Sequence, residues 1–217
     1  MFIAPSIYKI PTSKGSNVYV LSDEDGLILI DVGSIGSYDS IIDYIESYLD
    51  ADEEDIKTII ITHGHPDHAG SLPDFVSSID VKVIVHKNEI SYISKKVFWG
   101  KKFTPSIAIE NDYYLDAFGG LKILWTPGHT QGSISIYKEG VFLATGDTLI
   151  VDKLGKVNTS LKEKNFNTDE LRKSLCRLSK LKFDILLPGH GRPIIERADS
   201  LVKKFYEDIK LGKVKID

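Results

Sequence analysis

Residues 57–68 read KTIIITHGHPDH. After Lys57 come five β-branched residues, three of them isoleucines, the pattern of a buried strand. The last six hold three histidines, an aspartate, a glycine and a proline, which cannot continue that strand. In extended backbone, side chains two residues apart point the same way. His63 and His65 therefore point to one metal position, and Asp67 is expected to continue that register. His68 is expected to point away, toward a second position. Gly64 reads as a tight turn, and Pro66 restrains φ between the donors. Imidazole and carboxylate without thiolate suit zinc, with iron or manganese as alternatives. The helical HExxH spacing is absent.

Outward from this loop, short apolar runs alternate with helical periodicity. IYKI, NVYVL, LILID, VKVIV, LKILW, SISIY, VFLAT and FDILLP read as strands. IDYIESYL following Ser37, a short segment near 71–78, a segment from Asn88, residues 168–181 and residues 197–211 read as helices. Thr168 is the expected N-cap of the fourth of these, with Glu170 and Lys173 as a surface pair. The alternation predicts an α/β protein with sheets covered by helices. Residues 88–120 are the least regular and suggest a lid or binding wall.

Three further donors follow apolar runs: His129 in TPGHTQGS, Asp147 in ATGDT and His190 in LPGHGRP. Five of the six histidines thus sit in glycine-bounded loops. His86, at the end of VKVIV, reads instead as a hydrogen-bonded strand-end residue, and Cys176 as a core residue. Seven donors are too many for one tetrahedral ion and suit two ions if Asp147 bridges them. LILID ends on Asp31 as VFLATGD ends on Asp147, a faint echo between the two halves.

The ordered set HGHPDH, GHT, TGD and PGHG resembles the metallo-β-lactamase-fold superfamily, and most of all its glyoxalase II-like hydrolases. The resemblance runs from Asp31 to Arg192. It implies a four-layer αββα sandwich, as a single domain over 1–217, with the site at one edge of the two sheets. It also implies that His63, His65 and His129 hold one metal, that Asp67, His68 and His190 hold the other, and that Asp147 bridges. Asp31 matches an aspartate that orients ligands without binding metal. The implied activity is hydrolysis of a small ester-like bond, in a thioester, lactone or related acyl compound. Its attacking group would be a metal-bridging hydroxide, with Asp67 catalytic in handling the proton. Two other readings stay open: a mononuclear iron oxidoreductase acting on persulfides, and a phosphodiesterase or nuclease. Glyoxalase II enzymes add a C-terminal helical segment that grips glutathione. Here the residues after His190 read as one helix, so glutathione specificity is not expected.

The net charge of −4 and the scattered lysine pairs argue against a nucleic-acid surface. The opening MFIAPSIYKIPTSKG reads as a strand and not as a signal peptide. No apolar stretch approaches the ~20 residues needed to span a bilayer. With one cysteine, these features give a cytoplasmic expectation. A small-molecule substrate is the expected partner, and homo-oligomerisation stays open. Tyr38, Phe98, Trp99, Tyr113 and Tyr114 are candidate substrate contacts.

Overall fold

The computed structural model describes residues 1–11, 15–160 and 166–216. It divides into two compact units, Met1–Glu110 and Asn111–Asp217. The opening residues form strands as expected; residues 12–14 lie outside the described set.

Among the described residues, the first unit carries a seven-stranded sheet. Its elements run β1 (Phe2–Ala4), β2 (Ile7–Ile10), β3 (Val18–Asp23), β4 (Gly26–Ile30), α1 (Tyr38–Leu49), β5 (Ile56–Ile60), α2 (Pro66–Ala69), α3 (Leu72–Ser78), β6 (Lys82–His86), α4 (Ile90–Lys96) and β7 (Ile107–Ile109). Sheet order follows chain order. The hairpin-linked strands β1 to β4 pair antiparallel, and β4 to β7 pair parallel. The crossovers holding α1, α3 and α4 make the parallel pairing feasible. In β4, β5 and β6 the apolar residues are buried without alternation, as expected for strands covered on both faces. Ile41, Ile42 and Ile45 of α1 join Leu72 and Phe75 of α3 and Ile93 of α4 in the core.

The second unit carries a five-stranded sheet of order β14-β11-β10-β9-β8 among its described residues. These strands are β8 (Tyr113–Leu115), β9 (Leu121–Trp125), β10 (Ile134–Lys138), β11 (Phe142–Gly146) and β14 (Ile185–Pro188). A small hairpin, β12 (Ile150–Val151) with β13 (Val157–Asn158), and helices α5 (Thr168–Leu178) and α6 (Ala198–Lys210) complete it. β11 and β14 pair parallel, and the rest of the sheet is antiparallel. Leu171, Leu175 and Leu178 of α5, and Val202, Phe205 and Ile209 of α6, lie at helical spacing and pack with Leu143 and Leu186.

Three local expectations are corrected. Asn167, not Thr168, caps α5, because its side-chain carbonyl accepts from both Asp169 N and Glu170 N. Residues 88–120 are less irregular than their composition suggests, holding α4 and the short strands β7 and β8. Cys176 is half-buried rather than core, because it sits on the flank of the apolar stripe of α5. The Glu170–Lys173 pair is present at 2.7 Å. No helix among the described residues is long and apolar enough to cross a membrane.

Candidate metal centre

In the first unit, three parallel strands end side by side, and chemistry leaves from each end. Open α/β sheets bind ligands beyond the carboxyl ends of their strands. Asp31 follows β4, Thr62 and His63 follow β5, and His86 closes β6. Asp31 adopts a left-handed φ of 59°, uncommon for a residue with a side chain. That turn brings its carboxylate under the β5 exit. Oδ1 accepts the Thr62 backbone N–H at 2.7 Å, and Oδ2 accepts the Thr62 hydroxyl at 2.8 Å. Asp31 Oδ2 also lies 2.7 Å from His68 Nδ1, with both residues buried. Thr62 Oγ1 lies 3.2 Å from His63 Nδ1. The δ nitrogens of His63 and His68 are thereby engaged on the protein side.

His63 Nε2 and His65 Nδ1 converge to 3.0 Å. A tetrahedral ion with ~2.0–2.1 Å bonds spaces two nitrogen donors by about 3.3 Å, so the pair fits a shared cation. Beyond His65 the expected extended register stops. Pro66 opens the helical turn α2, for which its fixed φ and missing N–H are suited. Asp67 and His68 lie on that turn, with Asp67 Oδ2 3.9 Å from His68 Nε2. The turn is clamped by Val32 N to His68 O, Gly70 N to Gly33 O and Ser16 N to Asp67 O, at 2.8, 2.8 and 3.0 Å. Gly64 is also corrected. It is not among the glycines with positive φ; instead, a Cβ there would lie 3.0–3.1 Å from Glu89, Ile93 and Tyr92. Close approach of these side chains, not a turn, favours the glycine.

In the second unit, β11 and β14 are parallel neighbours, and Asp147 and His190 leave their carboxyl ends. Asp147 Oδ2 lies 3.6 Å from His129 Nε2, and Oδ1 lies 3.5 Å from His190 Nε2. One carboxylate thus turns a different oxygen to each histidine, an arrangement that suits a ligand shared by two cations. His129 Nδ1 lies 2.9 Å from Ser160 Oγ. The His129 loop is tied to the start of α5 by Asn167 N to Gly128 O and Phe166 N to His129 O, both 3.0 Å. Gly191 has φ 92°, and a Cβ there would sit 1.8 Å from Val151 O. The His190 loop can take this path only with glycine.

Tyr38 sits edge-on to Phe75 and hydrogen-bonds Glu53. Phe98 stacks on Phe103 and packs against the core. Trp99 is exposed. Tyr113 and Tyr114 line a groove of about 440 Å³ with Lys122, Tyr137 and Arg177, and none of His129, Asp147 and His190 borders it. His86 is buried at its strand end, lies 3.1 Å from the Glu110 carbonyl and accepts from Asn88 N; burial holds its pKa below the usual histidine range.

Four residues near the donors were not anticipated: Thr62, Glu89, Tyr92 and Ser160. Tyr92 stands edge-on to His65 with ring centroids 5.7 Å apart. Burial, then the charges of Glu89 and Asp67, push its phenol pKa up. Thr62 and Glu89 follow β5 and β6 as Asp31 follows β4, a positional signal available in the strand pattern. Ser160 carries no such signal.

Residues 12–190 match the sequence model of the Metallo-beta-lactamase superfamily. The chain belongs to this superfamily. A probable metallo-hydrolase of Methanocaldococcus jannaschii is 31% identical, covering 88% of this chain and 94% of that protein. A hydroxyacylglutathione hydrolase of Idiomarina loihiensis is 30% identical over 79% of this chain, but only 56% of its own length is matched. The fold is that of solved metallo-β-lactamase structures. A family protein from Thermus thermophilus superposes with TM-score 0.72 at 22% identity, covering 97% of this chain and 81% of that one. An archaeal superfamily protein from Sulfolobus tokodaii gives 0.72 at 21%, covering 98% and 88%. The superfamily supports a hydrolase, and its fold with these histidine and aspartate clusters implies divalent metal ions.

Proposed function

We propose that this chain is a dinuclear metallo-hydrolase that cleaves a small ester-like bond, in a thioester, lactone or related acyl compound. The observation that carries the reading is Asp147, with one carboxylate oxygen directed at His129 and the other at His190. His63, His65 and His129 would hold one ion, Asp67, His68 and His190 the other, with Asp147 between them. Zinc suits the donor set best. Such ions, when bound, supply Lewis acidity that polarises a carbonyl and makes water a competent nucleophile near neutral pH.

The chain's own residues divide the remaining work. Asp31 and Thr62 hold His63 and His68 by their δ nitrogens, leaving each Nε2 directed away from that contact. Ser160 does the same for His129. Asp67, whose side chain is 39% exposed, would take a proton from the attacking water and pass it to the leaving group. Tyr92, beside His65, and the exposed Trp99 would contact the acyl substrate. The similarity to a hydroxyacylglutathione hydrolase supports the thioester class.

The test is metal quantification on purified protein, with a panel of thioesters, lactones and phosphodiesters. Two zinc ions per chain and acyl hydrolysis are expected, with metal and turnover lost together in Asp147→Ala. One iron per chain with oxygen uptake, or full turnover in Asp147→Ala, would overturn the proposal.

A further inference from the structure

We infer that Glu89 is a positioning residue that sets the angle between His63 and His65 by holding the peptide between them. The inference rests on the proposed metal reading of those histidines.

Glu89 is a carboxylate with 3% exposure, and glutamate is rarely buried so fully without a partner. Its Oε2 accepts the Gly64 backbone N–H at 2.8 Å. That N–H belongs to the peptide joining His63 to Gly64, so its orientation decides how the two imidazoles diverge. A hydrogen bond to a charged acceptor is stronger and more directional than one between neutral groups.

The carboxylate is itself delivered by a built turn. His86 ends β6 and caps the following 3-10 turn, Lys87–Glu89, by accepting Asn88 N–H at 3.2 Å. His86 Nε2 lies 3.1 Å from Glu110 O, so the ring is held from both sides. From there, α4 brings Ile93 and Tyr92 against Gly64. The loop therefore rests on the segment from 86 to 93, while Asp31 and Thr62 hold it from the β4 side. Glu89 supports the His63–His65 pair as Asp31 supports His68, each from the end of a neighbouring parallel strand.

Glu89→Ala removes the acceptor, whereas Glu89→Gln keeps an oxygen in the same place. Supports of this kind change metal affinity by about 10–100-fold. We expect Glu89→Ala to weaken cobalt binding by that order and to alter the visible spectrum of the cobalt-loaded protein. kcat should fall more than KM, and Glu89→Gln should recover most of each loss. In metal-free protein, the Gly64 amide proton should shift upfield and exchange faster in Glu89→Ala. Should that variant fail to fold, Glu89→Asp, one methylene too short, carries the same comparison. A folded Ala or Asp variant with unchanged Gly64 amide and unchanged cobalt spectrum would overturn the inference. Failure of the wild type to bind cobalt or zinc would overturn the metal reading instead, and the Gly64 amide would still decide whether Glu89 holds the loop.

Discussion

Asp31 Oδ2 lies 2.7 Å from His68 Nδ1, while Asp31 Oδ1 accepts the Thr62 backbone N–H. One buried carboxylate thus sets both the ring it touches and the start of the loop that carries the other donors. Asp31→Ala leaves those donors without this acceptor and keeps a left-handed φ that alanine disfavours. It should destabilise the protein by about 2–3 kcal/mol, measured by urea unfolding. Asp31→Asn tolerates that φ and retains an oxygen for Thr62. It should fold nearly as well, yet bind metal roughly 10-fold or more weakly. Wild-type metal affinity in both variants would remove Asp31 from the centre's support.

Gly191 and Gly155 separate backbone strain from collision. Both have positive φ, but a Cβ at Gly155 meets nothing within 4 Å, whereas at Gly191 it meets Val151 O. Gly155→Ala should lower stability by about 1 kcal/mol. Gly191→Ala should lower it by about 2–4 kcal/mol and displace His190, reducing metal content as well. Equal losses in the two variants would contradict the steric account.

Tyr92 offers a test of the substrate wall. Tyr92→Ala should raise KM for an acyl substrate several-fold, about 1–2 kcal/mol of lost contact, with a smaller change in kcat. Tyr92→Phe separates ring from hydroxyl, and near-normal KM in that variant is expected. Unchanged kinetics in the alanine variant would place the substrate elsewhere.

Asp112 and Arg177 give a pH dependence whose sign is determined. The Arg177 guanidinium beside Asp112 holds that carboxyl below its usual pKa, and the Trp125 N–H adds to the effect. A carboxyl with a depressed folded pKa contributes stability above the unfolded value, and that contribution is lost as pH falls through the folded pKa. Wild type should therefore exceed Asp112→Asn by about 0.5–1 kcal/mol at pH 7, a half-exposed pair being screened by solvent. The gap should begin to close below about pH 4 and shrink further as pH falls. A gap as large at pH 3 as at pH 7 in denaturant titrations would assign the stabilisation to something other than this ion pair.

Local pattern determined much of this protein. Runs such as TII and ILLP are in strands because β-branched and apolar residues pack on a pleated, buried surface. The donors were legible because they follow such runs directly in loops bounded by glycine, and neighbouring residues decide that much. Tertiary structure alone decided what lies behind each donor. Glu89 reaches Gly64 across 25 residues, Asp31 reaches His68 across 37, and Ser160 reaches His129 across 31. No periodicity encodes such contacts, since they depend on which strands become neighbours. The same holds for Gly64, whose identity answers to side chains from α4, and for Tyr38, whose ring goes to Phe75. The histidine-rich loop announced itself in sequence; its support came only from the strand ends packed around it.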